Sequence, residues 1–289
     1  MKIYVIIVTY NGMKWIDWCL QSLRQSTSPL IPVVIDNGST DGLREYVPTH
    51  FPEVIWMPQD QNLGFGQGNN IGMEYALRHG ADYVLLLNQD AALHPDAVER
   101  MLEVADGHNV VTPIHLCGDG TRIDYMFRNS LKRADNELFD DLILESKPKL
   151  FYEVGEVCAA CWLLPIKLLK EIGGFNPLFF QYGEDNNYYT RLVYHNRKMI
   201  LAVRARMCHD RKIHGNAKLF NRKRLRILNL VTVCNPGLSI AGRVSKLLLL
   251  WMKNPVHEVG ELFLLLRLFP KISDSVKKER EVGPNWLKI

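Results

Sequence analysis

Four short apolar runs in the first ninety residues constrain the fold of this chain more than any other feature. They cover residues 2–8, 31–35, 54–57 and 83–87, and β-branched residues are common among them. Between the runs, apolar residues recur at helical spacing, as they do from about residue 14 to residue 25. Strands that alternate with helices predict an α/β fold, with a mainly parallel sheet and helices on both of its faces.

A polar motif follows each of these four predicted strands. In sheets of this kind, ligands bind in the crevice beyond the carboxyl ends of the strands. The agreement between the four positions is stronger than any single motif, and it predicts a nucleotide-binding crevice. The motifs are Thr9-Tyr10-Asn11-Gly12, Asp36-Asn37-Gly38-Ser39-Thr40-Asp41-Gly42, residues 62–70 and Asn88-Gln89-Asp90.

The alternation breaks from about residue 110, so the second half is expected to serve a second ligand. Cys117-Gly118-Asp119-Gly120 predicts a hairpin turn, residues 128–149 a polar connection and residues 154–164 a buried strand. We therefore expect one domain over residues 1–215, with a nucleotide-binding half (1–110) and a half for the second ligand (111–215). Residues 216–289 are expected to form a basic, apolar, helical extension.

Asp36 and Asp90 each follow a buried strand and can face the crevice. The Asp36 carboxylate can accept a hydrogen bond from a base imide or a ribose hydroxyl, although an Asx-turn is an alternative and Asp41 is the better helix cap. Asp90 can supply one ligand to Mg²⁺ or Mn²⁺, which prefer oxygen donors and often share substrate phosphates. His209 or His214 can complete such a metal site.

The glycine-rich segment around Gly64 is weaker evidence. Its spacing differs from the dinucleotide-binding fingerprint, and no Walker lysine follows. It precedes a helix, whose free N–H groups favour a nearby anion. Asn62, Gly64 and Asn70 are therefore candidates for the donor site, while the asparagines of this segment can instead hold the loop through hydrogen bonds to the backbone.

The pair Glu184-Asp185 is the most informative motif in the second half. It comes after a Gly-Gly-Phe turn at residues 173–175 and an aromatic run ending at Tyr182. Two carboxylates beside an apolar wall are typical of a site with perturbed proton affinity.

Charge and cysteine usage bear on the location of the protein. The net charge is +4, and eleven basic residues lie between Arg204 and Lys246 against a single acid, Asp210. Such a field suits a diphosphate, a polyanion or an anionic membrane face. No apolar run reaches the length of a transmembrane helix. We expect a cytoplasmic protein whose apolar C-terminal stretches lie on the membrane, pack on the main domain or join a second subunit in a homodimer. Cys158 and Cys161 are expected to be core thiols.

Taken in order, the four motifs and the segment Gly173-Gly174-Phe175…Gly183-Glu184-Asp185 resemble the inverting family-2 glycosyltransferases over roughly residues 2–215. The pattern is similar to that of bacterial rhamnosyltransferases of cell-surface polysaccharide synthesis. The resemblance implies a GT-A fold, a divalent cation and a UDP- or dTDP-linked sugar as donor. Rhamnose is the leading sugar and galactofuranose an alternative. The acceptor would be a glycan or a polyprenyl-diphosphate-linked glycan, with no role for nucleic acid.

The same resemblance implies roles for particular residues. Thr9, Asn11 and Asp36 would line the nucleotide pocket, and Asp90 with His209 would hold the metal. Asn88 stands where the family has the first acid of its Asp-x-Asp motif, and Asn187 where a later Asp is frequent. Asp185 would be the general base, oriented by Glu184.

Two other functions stay open at this point. Sugar-nucleotide nucleotidyltransferases use a similar sheet, but they usually carry a basic glycine-rich signature that residues 8–24 lack. A degenerate glycan-binding or assembly subunit is supported only by Asn88 and Asn187. Binding alone does not require a base and a metal ligand in one cleft, so catalytic transfer is favoured.

Overall fold

The computed structural model describes residues 1–131, 137–144, 148–211, 217–253 and 259–288. Within these ranges lies one mixed sheet, packed between helices. Its strands are β1 (Ile3–Thr9), β2 (Ile31–Asp36), β3 (Ile55–Pro58), β4 (Tyr83–Leu87), β5 (Ala91–Leu93), β6 (Val110–Cys117), β7 (Phe151–Val154), β8 (Cys161–Pro165) and β9 (Met199–His209).

Helices cover both faces of this sheet. They are α1 (Met13–Arg24), α2 (Leu43–His50), α3 (Phe65–Arg78), α4 (Ala97–Leu102), α5 (Tyr125–Leu131), α6 (Leu138–Ile143), α7 (Ile166–Ile172), α8 (Glu184–Tyr194), α9 (Ala217–Cys234), α10 (Ile240–Lys253) and α11 (Val259–Arg280). Three of the predicted polar motifs lie in the loops that follow β1, β2 and β4, and residues 62–70 cover the end of the loop after β3 and the start of α3.

The strand order across the sheet is β3-β2-β1-β4-β8-β6-β9-β5, and β7 also pairs with β9. The first four strands run parallel, as predicted from their alternation with helices. Beyond β4 the sheet is mixed, because β8 lies antiparallel between β4 and β6. The carboxyl ends of β1, β2 and β4 therefore meet at one edge, where Thr9, Asp36 and Asn88 lie.

Two details of the second half differ from the sequence-based expectation. The predicted strand over residues 154–164 is two strands, because β7 ends at Val154 and β8 begins at Cys161. The apolar character of residues 155–160 reflects burial at a turn rather than a continuous strand. The polar connection predicted over residues 128–149 contains α6 and the end of α5. The turn after Cys117 is confirmed by a hydrogen bond of 2.8 Å from Gly120 N to Cys117 O.

The core lies on both sides of the sheet, following the alternation of side chains along each strand. In β1, Ile3, Val5 and Ile7 pack with α1, α2 and α4 on one face. Tyr4 and Ile6 point to the opposite face, where α3, α7 and α8 contribute. This two-faced burial explains why the strands read as continuous apolar runs.

The C-terminal helices pack against the rest of the chain through a third apolar cluster. Phe179, from the segment before α8, is buried with Cys234 of α9 and with Ile272 and Val276 of α11. Of the alternatives that the sequence left open for this region, packing on the main domain is thus observed. The boundary at residue 215 stays a prediction.

Candidate active site

The turn after β2 holds Asp36 with one oxygen and leaves the other without a partner. Asp36 is fully buried. Its Oδ1 accepts a hydrogen bond of 3.1 Å from Ser39 N, so the Asx-type turn that the sequence left as an alternative is formed. Its Oδ2 is buried and has no hydrogen-bond partner among the described residues. A buried carboxylate oxygen without a partner is costly, so this atom is available for a ligand donor.

The loop after β1 is tied to the turn after β2. Asn11 has a positive φ of 48°, and its Oδ1 accepts a hydrogen bond of 2.9 Å from Thr40 N. Its own N–H donates to Ser39 Oγ at 3.0 Å. Asp41 caps a helix as expected, but the helix is α1, because Asp41 Oδ2 accepts from Met13 N at 2.8 Å. These contacts fix both loops at the rim of the crevice.

Gln89 joins the loops after β1 and β4, a role that sequence reasoning missed. Its Oε1 accepts hydrogen bonds from Thr9 Oγ1 at 2.7 Å and from Tyr10 N at 3.0 Å. A Cβ at Gly12 would lie 2.1 Å from the same oxygen, so a larger residue there would displace the Gln89 amide from these contacts. Thr9 is predicted to line the nucleotide pocket. In this structure its hydroxyl donates to Gln89, and this hydrogen bond helps to join the two loops.

The glycine-rich loop packs directly on the aromatic run before α8. Gly64 has a φ of 81°, and a Cβ there would lie 1.9 Å from the backbone oxygen of Phe180. Asn62 Oδ1 accepts from Gly64 N at 2.8 Å, and Asn37 Nδ2 donates to Gly64 O at 3.2 Å. Asn62 thus holds the loop backbone, which is the alternative that the sequence left open for it.

Asn70 makes a two-bond clamp on the Gly-Gly-Phe turn. Its Nδ2 donates to Phe175 O at 2.8 Å, and its Oδ1 accepts from Phe175 N at 2.7 Å. Asn70 is buried, and a Cβ at Gly174 would lie 2.4 Å from its Oδ1. The side chain therefore connects α3 to the Gly-Gly-Phe turn, with its amide group engaged by the backbone of Phe175.

Asp90 and His209 lie together, as the sequence predicts. Asp90 Oδ1 is 3.2 Å from His209 Nε2. Asn88 Nδ2 is 3.4 Å from the same ring nitrogen, and Asn88 Oδ1 is buried without a hydrogen-bond partner in the described part of the chain. The contact between the two side chains follows from the antiparallel pairing of Ala91 with His209. His214 lies outside the described residues.

This arrangement fits a divalent cation that shares its ligands with a substrate. An oxygen and a nitrogen 3.2 Å apart can both bind one ion at about 2.1–2.2 Å. The described residues contain no group of three or more His, Cys, Asp or Glu side chains that could hold a metal. Mg²⁺ commonly takes one or two carboxylates and completes its coordination with water and substrate phosphates. The two side chains are compatible with that mode.

Arg211, one of the eleven basic residues between Arg204 and Lys246, contacts several side chains of the site. One terminal guanidinium nitrogen lies 3.3 Å from His209 Nδ1 and 3.2 Å from Cys158 Sγ. Its Nε is 3.5 Å from Asp124 Oδ2. Arg211 also attracts Asp90 and Asp185 electrostatically. Cys158, expected to be a core thiol, thus lies at the site, whereas Cys161 is in the core.

Glu184 and Asp185 form the first turn of α8. Gly183 precedes them with a φ of 92°, and a Cβ there would lie 2.6 Å from the Ile227 side chain. Asp185 is half-buried, and its Oδ1 accepts from Asn186 N at 2.8 Å. Burial raises the pKa of both carboxyls, and the charge of Asp185 further raises the pKa of Glu184. Asp185 is the more accessible of the two, which suits it to exchange a proton with a substrate.

Behind this pair, a buried carboxylate fixes α8 to the C-terminal helix. Glu279 Oε1 accepts from Asn187 Nδ2 at 2.8 Å and from Asn176 Nδ2 at 2.7 Å. Burial raises the pKa of Glu279 to about 7. Asn187, where the resemblance implies a frequent Asp, is fully buried and points to Glu279. Its departure from the family pattern therefore has a packing explanation away from the crevice.

The model of the family described as "Glycosyl transferase family 2" matches residues 4–173, more than half of the chain. The chain belongs to glycosyl transferase family 2. The matched range includes the loops after β1, β2 and β4 and ends at Gly173, so α8, His209 and Arg211 lie beyond it.

Two curated members illustrate the similarity. N-acetylglucosaminyl-diphospho-decaprenol L-rhamnosyltransferase of Mycobacterium tuberculosis is 25% identical over 215 residues, which cover 65% of this chain and 69% of that protein. The dTDP-rhamnosyl transferase RfbF of Shigella flexneri is 26% identical over 109 residues, covering 37% of this chain and 36% of RfbF.

A solved structure supports the fold. TarS residues 1–349 of S. aureus, in complex with UDP-GlcNAc, matches with a TM-score of 0.58 and 17% identity, over 96% of this chain and 82% of that chain. The predicted GT-A fold with a helical C-terminal region is confirmed. Among the described residues, no helix is long and apolar enough to cross a membrane.

Proposed function

We propose that this family 2 glycosyltransferase transfers a sugar, with inversion, from a UDP- or dTDP-linked donor to a glycan or lipid-linked glycan of the cell surface. The observation that carries the proposal is the unpartnered, buried Oδ2 of Asp36 at the carboxyl edge of the parallel strands. Uracil and thymine both present an imide N–H, which is the donor that this oxygen lacks. The relatives' names support rhamnose as the sugar and a polyprenyl-diphosphate-linked acceptor.

The proposed reaction needs one base and a stabilised leaving group. A bond forms between the acceptor oxygen and the anomeric carbon, while the bond from that carbon to the diphosphate oxygen breaks. Asp185 receives the acceptor's proton, for which the raised pKa of its half-buried carboxyl is favourable. Displacement from the opposite side inverts the anomeric carbon, so no residue needs to form a covalent glycosyl-enzyme.

Asp90 and His209 are the residues proposed to hold a divalent cation, with Asn88 beside them. A bound cation would supply positive charge to the departing diphosphate. Arg211 lies against His209 and adds a permanent positive charge at the same place. Glu184, which is more buried than Asp185, is proposed to orient the base through the first turn of α8.

The acceptor is proposed to meet the exposed aromatic side chains just before α8. Phe180 and Tyr182 are 54% and 58% exposed, although both precede a buried turn. Tyr182 has a φ of 71°, which is uncommon for a residue other than glycine and is often found at functional sites. These exposed rings, three and five residues before Asp185, are the proposed contact for a sugar ring.

The competing proposal, a degenerate binding subunit, has less support than it had from sequence. Of its two arguments, Asn187 is explained by its hydrogen bond to Glu279. The other, Asn88, leaves a buried amide oxygen without a partner in the described chain next to Asp90 and His209. An amide oxygen is a competent ligand for a hard cation.

Nucleotide binding is the first test. Thermal-shift or calorimetric titrations compare UDP, dTDP, GDP and CDP, each with Mn²⁺, with Mg²⁺ and with EDTA. UDP or dTDP should stabilise the wild type in a metal-dependent way, and CDP should not, because cytosine has no imide N–H for Asp36. Asp90→Ala should lose the metal dependence. A folded protein that responds to none of these nucleotides would contradict the proposal.

Turnover tests the base. Asp185→Asn is expected to lower kcat by about 10²–10⁴-fold, the usual contribution of a general base, while nucleotide affinity stays unchanged. Asn186→Ala is the neighbouring control, since Asn186 contacts Asp185 through its backbone N–H, which alanine keeps. Equal activity of Asp185→Asn and wild type would remove Asp185 from this role.

A further inference from the structure

Helix α10 presents a broad uncharged surface that nothing in the described chain covers. Five large apolar side chains on it are between 51% and 80% exposed. Steps of four residues advance about 40° around a helix, so these side chains spread over about half of its circumference. Ala241 and Ser245, which lie between them, are exposed and uncharged as well. We name this surface the α10 face, defined by Ile240, Val244, Leu248, Leu249 and Met252.

The basic residues of α9 and α10 favour an anionic partner for this face. Residues 217–253 contain eight Lys and Arg and no Asp or Glu. Lys246 is exposed on α10 itself, and Arg224 is exposed on the preceding helix. A second copy of the chain docked through this face would bring the same positive charges together, which is unfavourable. An anionic lipid surface offers both the negative charge and the apolar interior.

We propose that the α10 face is a membrane-seating surface that lies in the plane of an anionic bilayer. The apolar side chains would enter the boundary between headgroups and acyl chains, and Lys246 would reach the lipid phosphates. The proposal rests on the proposed function in one respect, because membrane binding would bring the active site to a lipid-linked acceptor in the same bilayer. The surface itself is argued from exposure and charge alone.

The candidate active site is connected to this surface through packed helices. Helix α10 packs on α9, and α9 contacts α8, which carries Glu184 and Asp185. The connection is close, since the Ile227 side chain of α9 fills the space where Gly183 lacks a Cβ. Seating α10 on a bilayer therefore sets the distance and orientation of Asp185 relative to an acceptor held in the same membrane.

Vesicle flotation of the full-length protein tests the surface directly. Vesicles of phosphatidylcholine alone are compared with vesicles that also contain phosphatidylglycerol. The wild type is expected to float with the anionic vesicles and to dissociate as salt is raised, because screening weakens attraction to lipid charge. The double variant Leu248→Asp/Met252→Asp should bind at least roughly tenfold more weakly, since both side chains lose their apolar contact with lipid.

A matched control uses another exposed leucine. Leu144 is 75% exposed and lies outside the α10 face, so Leu144→Asp should float like the wild type. Equal flotation of the double variant and the wild type, or no flotation of the wild type, would overturn the proposal. So would light scattering that shows a wild-type dimer which the double variant disperses, because a second copy would then occupy the face.

Nucleotide titration separates this proposal from the proposed function. Both variants should keep the wild-type response to UDP or dTDP, because Leu248 and Met252 are not part of the crevice. Flotation without any nucleotide response would leave the seating surface standing and contradict the transferase. A nucleotide response without flotation would support the proposed function and contradict the membrane-seating surface.

Discussion

At the scale of single residues, the site depends on polar atoms that are buried and only partly satisfied. Asp36 uses Oδ1 to hold its own turn and leaves Oδ2 without a partner among the described groups. Such an atom lowers the stability of the empty protein and favours a ligand that supplies a donor. In the proposed function, the structural and the ligand-binding roles are divided between the two oxygens of this carboxylate.

Asp36→Asn tests this division. The amide oxygen can still accept from Ser39 N, but the amide nitrogen replaces the free acceptor that faces the crevice. We expect UDP and dTDP affinity to fall by about 10–100-fold, which corresponds to the loss of one charge-assisted hydrogen bond. Calorimetric titration gives the affinity. Asp41→Asn, which changes a carboxylate that caps α1, should bind nucleotide as the wild type does.

Glu279 gives a pH dependence to stability. Its pKa in the folded protein is about 7, whereas a glutamate in an unfolded chain has a pKa of about 4.3. The folded state then binds the proton more tightly, so this group's contribution to stability falls as pH rises between these values. Glu279→Gln has no proton to lose. The quantity to compare is the free energy of unfolding of Glu279→Gln minus that of the wild type. This difference should be larger at about pH 8 than at about pH 4, by on the order of 3 kcal/mol.

Urea denaturation of both proteins at the two pH values measures this difference. A difference that does not change with pH would show that Glu279 titrates normally. Asn187→Asp provides the opposite change, because it removes the amide donor and places a second carboxylate against Glu279. That variant should be less stable than the wild type at the higher pH.

At the scale of elements, one side chain holds α3 to the Gly-Gly-Phe turn, in addition to the continuous sheet in which β4 pairs with β8. Asn70, on α3, satisfies both backbone groups of Phe175, which precedes the aromatic run and α8. Rings of Phe65 and Phe175 pack 5.8 Å apart beside this clamp. The turn and aromatic run that precede α8 are thus fixed to α3.

Asn70→Ala should weaken this junction strongly. It leaves the buried N–H and C=O of Phe175 without partners, at a cost of about 2–5 kcal/mol in the free energy of unfolding. Asn69→Ala is the matched control, because Asn69 is equally buried but donates only to Phe65 O within its own helix, at 3.0 Å. Urea denaturation should show the smaller loss for Asn69→Ala. Equal losses would argue against the clamp.

At the scale of the whole molecule, the C-terminal region is part of the catalytic domain's packing. Gly174 N donates to Asn285 O at 2.9 Å, and Trp286 stacks on the buried guanidinium of Arg191 at 4.6 Å. Helix α11 covers Phe179 and supplies Glu279 to Asn176 and Asn187. The region that reads as an extension in the sequence therefore supports α8 from behind.

A chain ended at residue 216 should consequently fail as an independent unit. Truncation would expose Phe179 and leave Asn176 and Asn187 without their carboxylate partner. We expect loss of soluble expression or of the cooperative thermal transition, and loss of nucleotide-induced stabilisation. A truncated protein that melts cooperatively and binds UDP like the full chain would contradict this. Surface substitutions on α10 are for the same reason a sharper membrane test than deletion.

The amino-acid sequence by itself determined the alternation of strands and helices and the edge at which the polar motifs meet. These follow from local periodicity and from the rule that loops after parallel strands converge. The choice of His209 over His214 as the partner of Asp90 came from the family resemblance, and the antiparallel pairing of β5 with β9 brings the two side chains together. Family membership also rests on motifs that are contiguous in the chain.

Only the tertiary structure decided the roles of Gln89, Asn70, Arg211 and Glu279. Each acts on a residue far away in sequence, as Glu279 does on Asn187, 92 positions earlier. Such pairs depend on which elements pack together, and local patterns carry no information about that. The same reason explains the split of residues 154–164, because an apolar run records burial while strand pairing is set by neighbours elsewhere in the chain.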